Sequence, residues 1–295
     1  MVAPSTLRLP DGRSLAFDDV GDPAGAVVVY LHGTPDSRLA RHPDDALAPA
    51  AGVRLLAVDR PGAGDSDLDP SGTLPSLGHD LAALLDHLAV DRAILLGWSA
   101  GGLFALAAAT VLGERVRALG RVGAVPPVEA YRDAPLVAAL GPGRQAFVRM
   151  AAEAAPHEVA AELVPYLVPD PLTPESALEH VLESAGEHGR RELATTPGAA
   201  AALAEGLRAS VARGPGGVAH DLAAQLEPGL DLALVTARVR TFHGTLDLVS
   251  PPEVGAWLVG HLPDAVLDRV PDGGHHLLFP RWRGILRSLL RDAAG

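Results

Sequence analysis

No cysteine occurs among the 295 residues, which excludes disulfides, thiolate metal sites and a cysteine nucleophile. Lysine is missing too, so all 24 basic residues are arginine; beside so much alanine, glycine and proline, this reads as coding bias. Aromatic residues make up only 4% of the chain. No run of 18 or more uncharged apolar residues is present, so no membrane span is expected. A formal charge of −12, spread without long acidic runs, argues against nucleic acid and anionic lipid as partners. The N-terminus lacks a basic segment leading into an apolar one, so no signal peptide is expected and the cytoplasm is the expected compartment. Neither H-E-x-x-H nor a Lys-Ser or Lys-Thr after Gly62-x-Gly64 is found, so neither zinc nor a P-loop phosphate site is expected, and no cofactor.

What is present is a globular composition, 48% hydrophobic and 20% charged, in a chain long enough for one α/β core with an insertion. The sequence is organised around Ile94-Leu95-Leu96-Gly97-Trp98-Ser99-Ala100-Gly101-Gly102. An apolar, unalternating strand runs into a serine between glycines and then into the helix-forming Leu103–Leu112. A serine on such a turn is held in a strained backbone conformation, and glycine at 97 and 101 removes β-carbons that would collide with strand and helix. The pentapeptide alone is weakly specific; its place between strand and helix is what gives it weight.

In chain order, Thr6–Leu9 and Ser14–Asp18 flank a Pro-Asp-Gly turn and predict a hairpin at the sheet edge. Val27–Leu31 and Val53–Val58 predict buried strands, ending in His32-Gly33-Thr34-Pro35 and Asp59-Arg60-Pro61-Gly62. A helix over 75–88 and a strand over 116–125 continue an alternation that implies an α/β fold: a mostly parallel twisted sheet with helices on both faces. From 128 to 231 only helical segments appear, at 145–155, 157–163, 175–193, 199–212 and 218–226. Residues 1–127 and 232–295 are therefore read as one core and 128–231 as a helical cap inserted over the carboxyl edge of the sheet, hinged near Pro126-Pro127 and Glu227-Pro228-Gly229. Strands at 239–242 and 266–270 and helices at 252–260 and 282–290 complete the core.

A serine hydroxyl needs a base, and that base needs a carboxylate. Asp247 follows the first strand after the cap, and Gly274-His275-His276 follows the last, in the order Ser, acid, His. Asp264, Asp268, Asp272 and Glu129 are weaker acids for the role, and His276 competes with His275.

The motifs His32-Gly33-Thr34-Pro35, Asp59-Arg60-Pro61-Gly62-x-Gly64, Gly97-x-Ser99-x-Gly101 and Gly274-His275 together resemble a capped α/β hydrolase. That resemblance implies a covalent acyl-enzyme on Ser99, with His275, which directly follows glycine, as base and Asp247 as its acid. It implies an oxyanion hole of the Thr34 and Ala100 N–H groups, and structural roles for His32, His243 and the Asp59 loop. Relatives that open epoxides or displace halide resemble one another in carrying Asp at the elbow, so Ser99 points to acyl chemistry. The expected activity is hydrolysis of a carboxylic ester, thioester or lactone of a small apolar molecule by a monomer or homodimer. A carbon–carbon hydrolase of diketone-like metabolites, or a non-catalytic binding relative, is the alternative. Gly33, Trp98, Tyr131 and His276 are candidate pocket residues, with Phe147 and Tyr166 open between substrate contact and cap core.

Overall fold

The computed structural model describes residues 4–295; Met1–Ala3, on which the signal-peptide expectation partly rests, lie outside the described residues. β1 (Ser5–Arg8) and β2 (Ser14–Gly21) form the expected edge hairpin. There follow β3 (Ala26–Leu31), α1 (Leu47–Ala50), β4 (Val53–Val58), α2 (Ser76–His87), β5 (Ala93–Trp98), α3 (Ala100–Leu112) and β6 (Val116–Val122). Then come seven helices: α4 (Ala134–Ala139), α5 (Pro142–Glu153), α6 (Pro156–Leu167), α7 (Pro174–Ser184), α8 (Gly186–Ala194), α9 (Ala199–Ser210) and α10 (Gly216–Ala224). β7 (Arg238–Gly244), α11 (Pro252–Val259), β8 (Ala265–Val270) and α12 (Leu278–Asp292) close the chain.

The eight strands form one sheet in the order β1-β2-β4-β3-β5-β6-β7-β8, parallel from β4 onward and antiparallel where β2 meets β1 and β4. Side chains alternate along each strand, so the two faces bury different sets. Val29, Leu31, Leu56, Val58 and Leu95 pack with α2, α3 and α11, whereas Val28, Tyr30, Leu55, Ile94 and Leu96 pack with α12. This double burial is why the parallel strands read as unbroken apolar runs. Among the described residues no helix is long and apolar enough to cross a membrane.

β6 and β7 are hydrogen-bonded neighbours, and all of α4 to α10 lies between them in sequence. Here the structure differs from expectation in detail. The single helix expected over 175–193 is two, because Gly186 adopts φ +65° and breaks the axis after Ser184. α4 was not foreseen. The strand expected to reach Val125 stops at Val122, where Gly123 turns with φ +51°. α12 starts at Leu278 instead of Trp282, since Pro280 falls in its first turn, where a missing N–H breaks no intrahelical bond.

Candidate active site

β3, β4, β5, β7 and β8 all point their carboxyl ends at one edge of the sheet, and each delivers a loop there. Ser99, between β5 and α3, adopts φ 53° and ψ −124°, a conformation costing a non-glycine residue about 1–3 kcal/mol. A β-carbon on Gly97 would stand 2.2 Å from the Gly101 carbonyl oxygen, and one on Gly101 would stand 2.1 Å from that of Leu31. The turn thus closes only with glycine at both places, and it lifts the Ser99 side chain out of the sheet.

The Ser99 hydroxyl lies 3.0 Å from His275 Nε2, and His275 Nδ1 lies 2.9 Å from Asp247 Oδ2. The Val249 and Ser250 N–H groups donate to Asp247 Oδ1 at 2.8 and 2.9 Å. Burial alone would raise the Asp247 carboxyl, but the facing His275 and these donors outweigh it and hold it below the ordinary value. Of the alternatives for the acid, Asp272 is exposed on its turn and the other three are occupied elsewhere. Asp268 pairs with Arg240 at 3.0 Å and Asp264 with Arg238 at 3.5 Å. Glu129 accepts the Gly229 N–H at 2.6 Å, tying the two ends of the insertion together.

Thr34 and Ala100 flank Ser99. Ala100 opens α3, where N–H groups of the first turn have no intrahelical acceptor, and the Thr34 N–H donates to no backbone group among the described residues. The Thr34 loop is braced by buried Arg60. Its Nη2 donates to the Gly33 carbonyl at 3.0 Å and to Thr34 Oγ1 at 3.1 Å, and its Nη1 to the His32 carbonyl. Arg60 also forms a two-point pair with Asp221 of α10, at 2.9 and 2.7 Å, and Asp221 accepts from the Thr34 hydroxyl. His32 is pushed well below its ordinary pKa by burial and by Arg60; neutral, it accepts the Arg60 N–H at Nε2 and donates from Nδ1 to the Gly33 carbonyl.

The His275 loop is held in the same way. Glu192 of α8 accepts the N–H groups of Gly274 at 2.7 Å and His276 at 3.1 Å, and Trp98 Nε1 donates to the His275 carbonyl at 2.9 Å. Beneath the elbow, buried Arg121 donates to the carbonyls of Gly102 at 2.9 Å and Val125 at 2.6 Å, and burial lowers its pKa to about 9. His243, carried down to about 4 by burial, is fixed between Thr241 and Ser250.

A cavity of about 420 Å³ opens over Ser99, walled by the core loops and by α5, α6, α7, α9 and α10. Of the candidate pocket residues, Gly33, Trp98 and His276 line it, together with Thr34 and Ala100. His276 is neutral, brought down to about 3 by burial and by His275. Tyr131 is a correction: it does not line the cavity. Its ring packs edge-on to Phe147, and its hydroxyl accepts from Arg144, so those two residues face the space instead. Tyr166 is 74% exposed and also stands outside it. Asp36, Arg60, Arg121, Glu192 and Asp221 were not singled out from sequence. Only Arg60 lay in a motif; Asp221 and Glu192 sit in helices without one.

A family model described as the α/β hydrolase fold matches residues 26–162. The chain is 30% identical over 234 residues to a pimeloyl-[acyl-carrier protein] methyl ester esterase of Aromatoleum aromaticum, covering 76% of this chain and 81% of that one. The chain belongs to the α/β-hydrolase fold family. This α/β hydrolase is also 36% identical over 142 residues to epoxide hydrolase A of Mycobacterium tuberculosis, covering 43% of this chain and 44% of that protein. The first curated relatives are matched over only part of their length, 30%, 44% and 20%. Among solved structures, an α/β hydrolase fold protein from Nakamurella multipartita superposes with TM-score 0.69 at 24% identity, over 99% of this α/β hydrolase and all of the other chain. A hydrolase from Pseudomonas aeruginosa gives TM-score 0.64 at 25% identity, over 97% of this chain and 98% of that one.

Proposed function

We propose that the protein is a serine hydrolase that cleaves a carboxylic ester, thioester or lactone of a small molecule, with residues 128–231 acting as the cap of its pocket. The hydrogen-bonded line from Asp247 through His275 to Ser99, opening into the cavity, carries this reading. His275 Nε2 takes the Ser99 proton as Oγ bonds to the substrate carbonyl carbon, and the carbonyl π pair moves onto oxygen. The N–H groups of Thr34 and Ala100 receive that oxyanion. As it collapses, the bond to the leaving group breaks and His275 returns the proton to it. Water then attacks the acyl-Ser99 carbonyl carbon and gives a proton to His275; as this second oxyanion collapses, the bond to Ser99 Oγ breaks, His275 returns the proton to Oγ, and the carboxylic acid is released. Asp247 stays ionised throughout, holding the Nδ1 tautomer. Ser99 in place of Asp at the elbow disfavours the alkyl-enzyme chemistry of an epoxide hydrolase, and the esterase relative is in keeping with acyl transfer.

Treatment with a fluorophosphonate, read by intact mass, tests this. One adduct is expected on the wild type and none on Ser99→Ala or His275→Ala, and Ser99→Ala is expected to lower ester turnover by about 10⁴-fold or more. Equal labelling of all three, or unchanged turnover by Ser99→Ala, would show the assignment to be wrong.

A further inference from the structure

The cavity over Ser99 is mostly apolar, yet Asp36 stands on its wall. Among the described residues no hydrogen bond reaches its carboxyl, and no arginine or histidine nitrogen lies within 4.0 Å of it. Arg60, the cation that acts on it most, has its donors committed to Asp221, Thr34 and the carbonyls of His32 and Gly33. Asp36 is half-buried, and water in the cavity is the one partner left to its carboxyl, so a ligand that displaces that water must supply charge or donors in its place. The neighbouring helix approaches the carboxyl closely. A β-carbon on Gly206, in the interior of α9, would stand 2.9 Å from Asp36 Oδ1 and 2.8 Å from the Ala40 side chain. A helix-interior glycine is itself unfavourable by about 1 kcal/mol relative to alanine, so the close approach of α9 to Asp36 and Ala40 is kept at some expense.

The other charge on the cavity lies elsewhere. Arg144, on α5, spreads its guanidinium 4.1 Å over the Phe147 ring and bonds to the Tyr131 hydroxyl, and it does not pair with Asp36. The cavity therefore has a polarity: it favours a positive group toward Asp36 and α9 and opposes one toward α5. The net charge of −12 also draws cations toward the protein.

From this arrangement we infer that Asp36 receives an ammonium group, and that the substrate is an ester or lactone carrying an amine remote from the scissile carbonyl. The inference rests on the serine-hydrolase reading for what is cleaved, but not for what is bound. An ammonium group supplies both the missing charge and up to three donors to a carboxylate that has neither.

The test is a ladder of p-nitrophenyl esters of ω-amino acids of increasing chain length, each beside its uncharged alkyl isostere and its ω-hydroxy counterpart. Above neutral pH, at one chain length, kcat/KM for the amino ester should exceed that for the isostere by about tenfold. That ratio should fall toward unity in Asp36→Asn and in Gly206→Ala, whose added methyl crowds the carboxyl. An equal loss on both esters in these variants, no preference at any length, or a hydroxy ester that does as well as the amino ester would overturn the proposal. Binding gives a readout independent of turnover. n-Pentylammonium should raise the melting temperature of Ser99→Ala and not that of Ser99→Ala/Asp36→Asn; the same shift in both would overturn it too. If no ester of any kind is cleaved and no adduct forms, the hydrolase reading fails, while this melting experiment still decides the ammonium site.

Discussion

Asp221→Ala removes a carboxylate shared by Arg60 and Thr34, two groups of the core, from a helix of the insertion. The Arg60 side chain is 2% exposed, so the variant leaves a guanidinium buried without its counter-ion. Breaking one side of a buried pair costs about 3–5 kcal/mol, and the lower end applies because Arg60 keeps its bonds to the His32 and Gly33 carbonyls. At roughly 2 °C per kcal/mol for a chain of this size, melting should fall by about 6 °C. The effect on rate follows from Thr34. Its hydroxyl loses an acceptor and the loop loosens, so the oxyanion stabilisation proposed for its N–H should fall. Deleting one oxyanion donor costs about 10²–10³ in kcat, so loosening one should cost about tenfold, with KM changed by less. Asp221→Asn, which still accepts from Thr34 but carries no charge, should recover much of the rate and little of the stability. Melting curves together with kcat and KM on one ester separate the two effects, and Thr34→Val should make a further Asp221→Ala change nearly silent in kcat. A variant that melts lower but turns over at the wild-type kcat would refute the link between insertion and oxyanion loop.

Gly101→Ala should prevent correct folding, because its methyl would stand 2.1 Å from the Leu31 carbonyl; a soluble variant with wild-type melting and labelling would contradict the elbow geometry. Asp36 gives a pH signature. Burial raises its pKa from 3.8 to about 7, so the native state holds this proton more tightly than the unfolded chain. Its contribution is therefore most favourable below about pH 4 and is lost as pH rises to about 7. The ceiling is about 4 kcal/mol, and water reaching the carboxyl through the cavity should cut this to about 1–2 kcal/mol. Urea titrations of Asp36→Asn should lack this part of the decline, and parallel pH profiles for the variant and the wild type would show the carboxyl to be well solvated.

The elbow was legible because it is local: nine residues hold the strand, the turn, the two obligatory glycines and the start of the helix. The approach of the Asp247 and His275 loops to Ser99 was legible because buried parallel strands announce themselves as apolar runs, and loops after such runs meet at one edge. Tyr131 was misassigned because an aromatic residue in a helical insertion carries no mark of which side it faces. Gly186 was passed over as an ordinary helical residue, and its left-handed turn divides one expected helix into two. Asp221 and Glu192 were beyond reach for another reason. Their partners lie 161 and 82 positions away, in loops whose approach depends on how the whole insertion settles. Asp36 stood in plain view beside Pro35, but only the absence of a partner gives it meaning, and that is a property of three-dimensional surroundings.

The reactivity proposed for Ser99 would also have a birth date. Ser99 and His275 are 176 positions apart, with α4 to α10, β7 and β8 all lying between them in sequence. Without the loop after β8 in place, Ser99 would be an ordinary alcohol on a strained turn. Covalent capture of Ser99 would thus act as a clock for assembly of this half of the sheet, silent for a form that lacks the loop after β8 and sounding only when that loop has met the turn after β5.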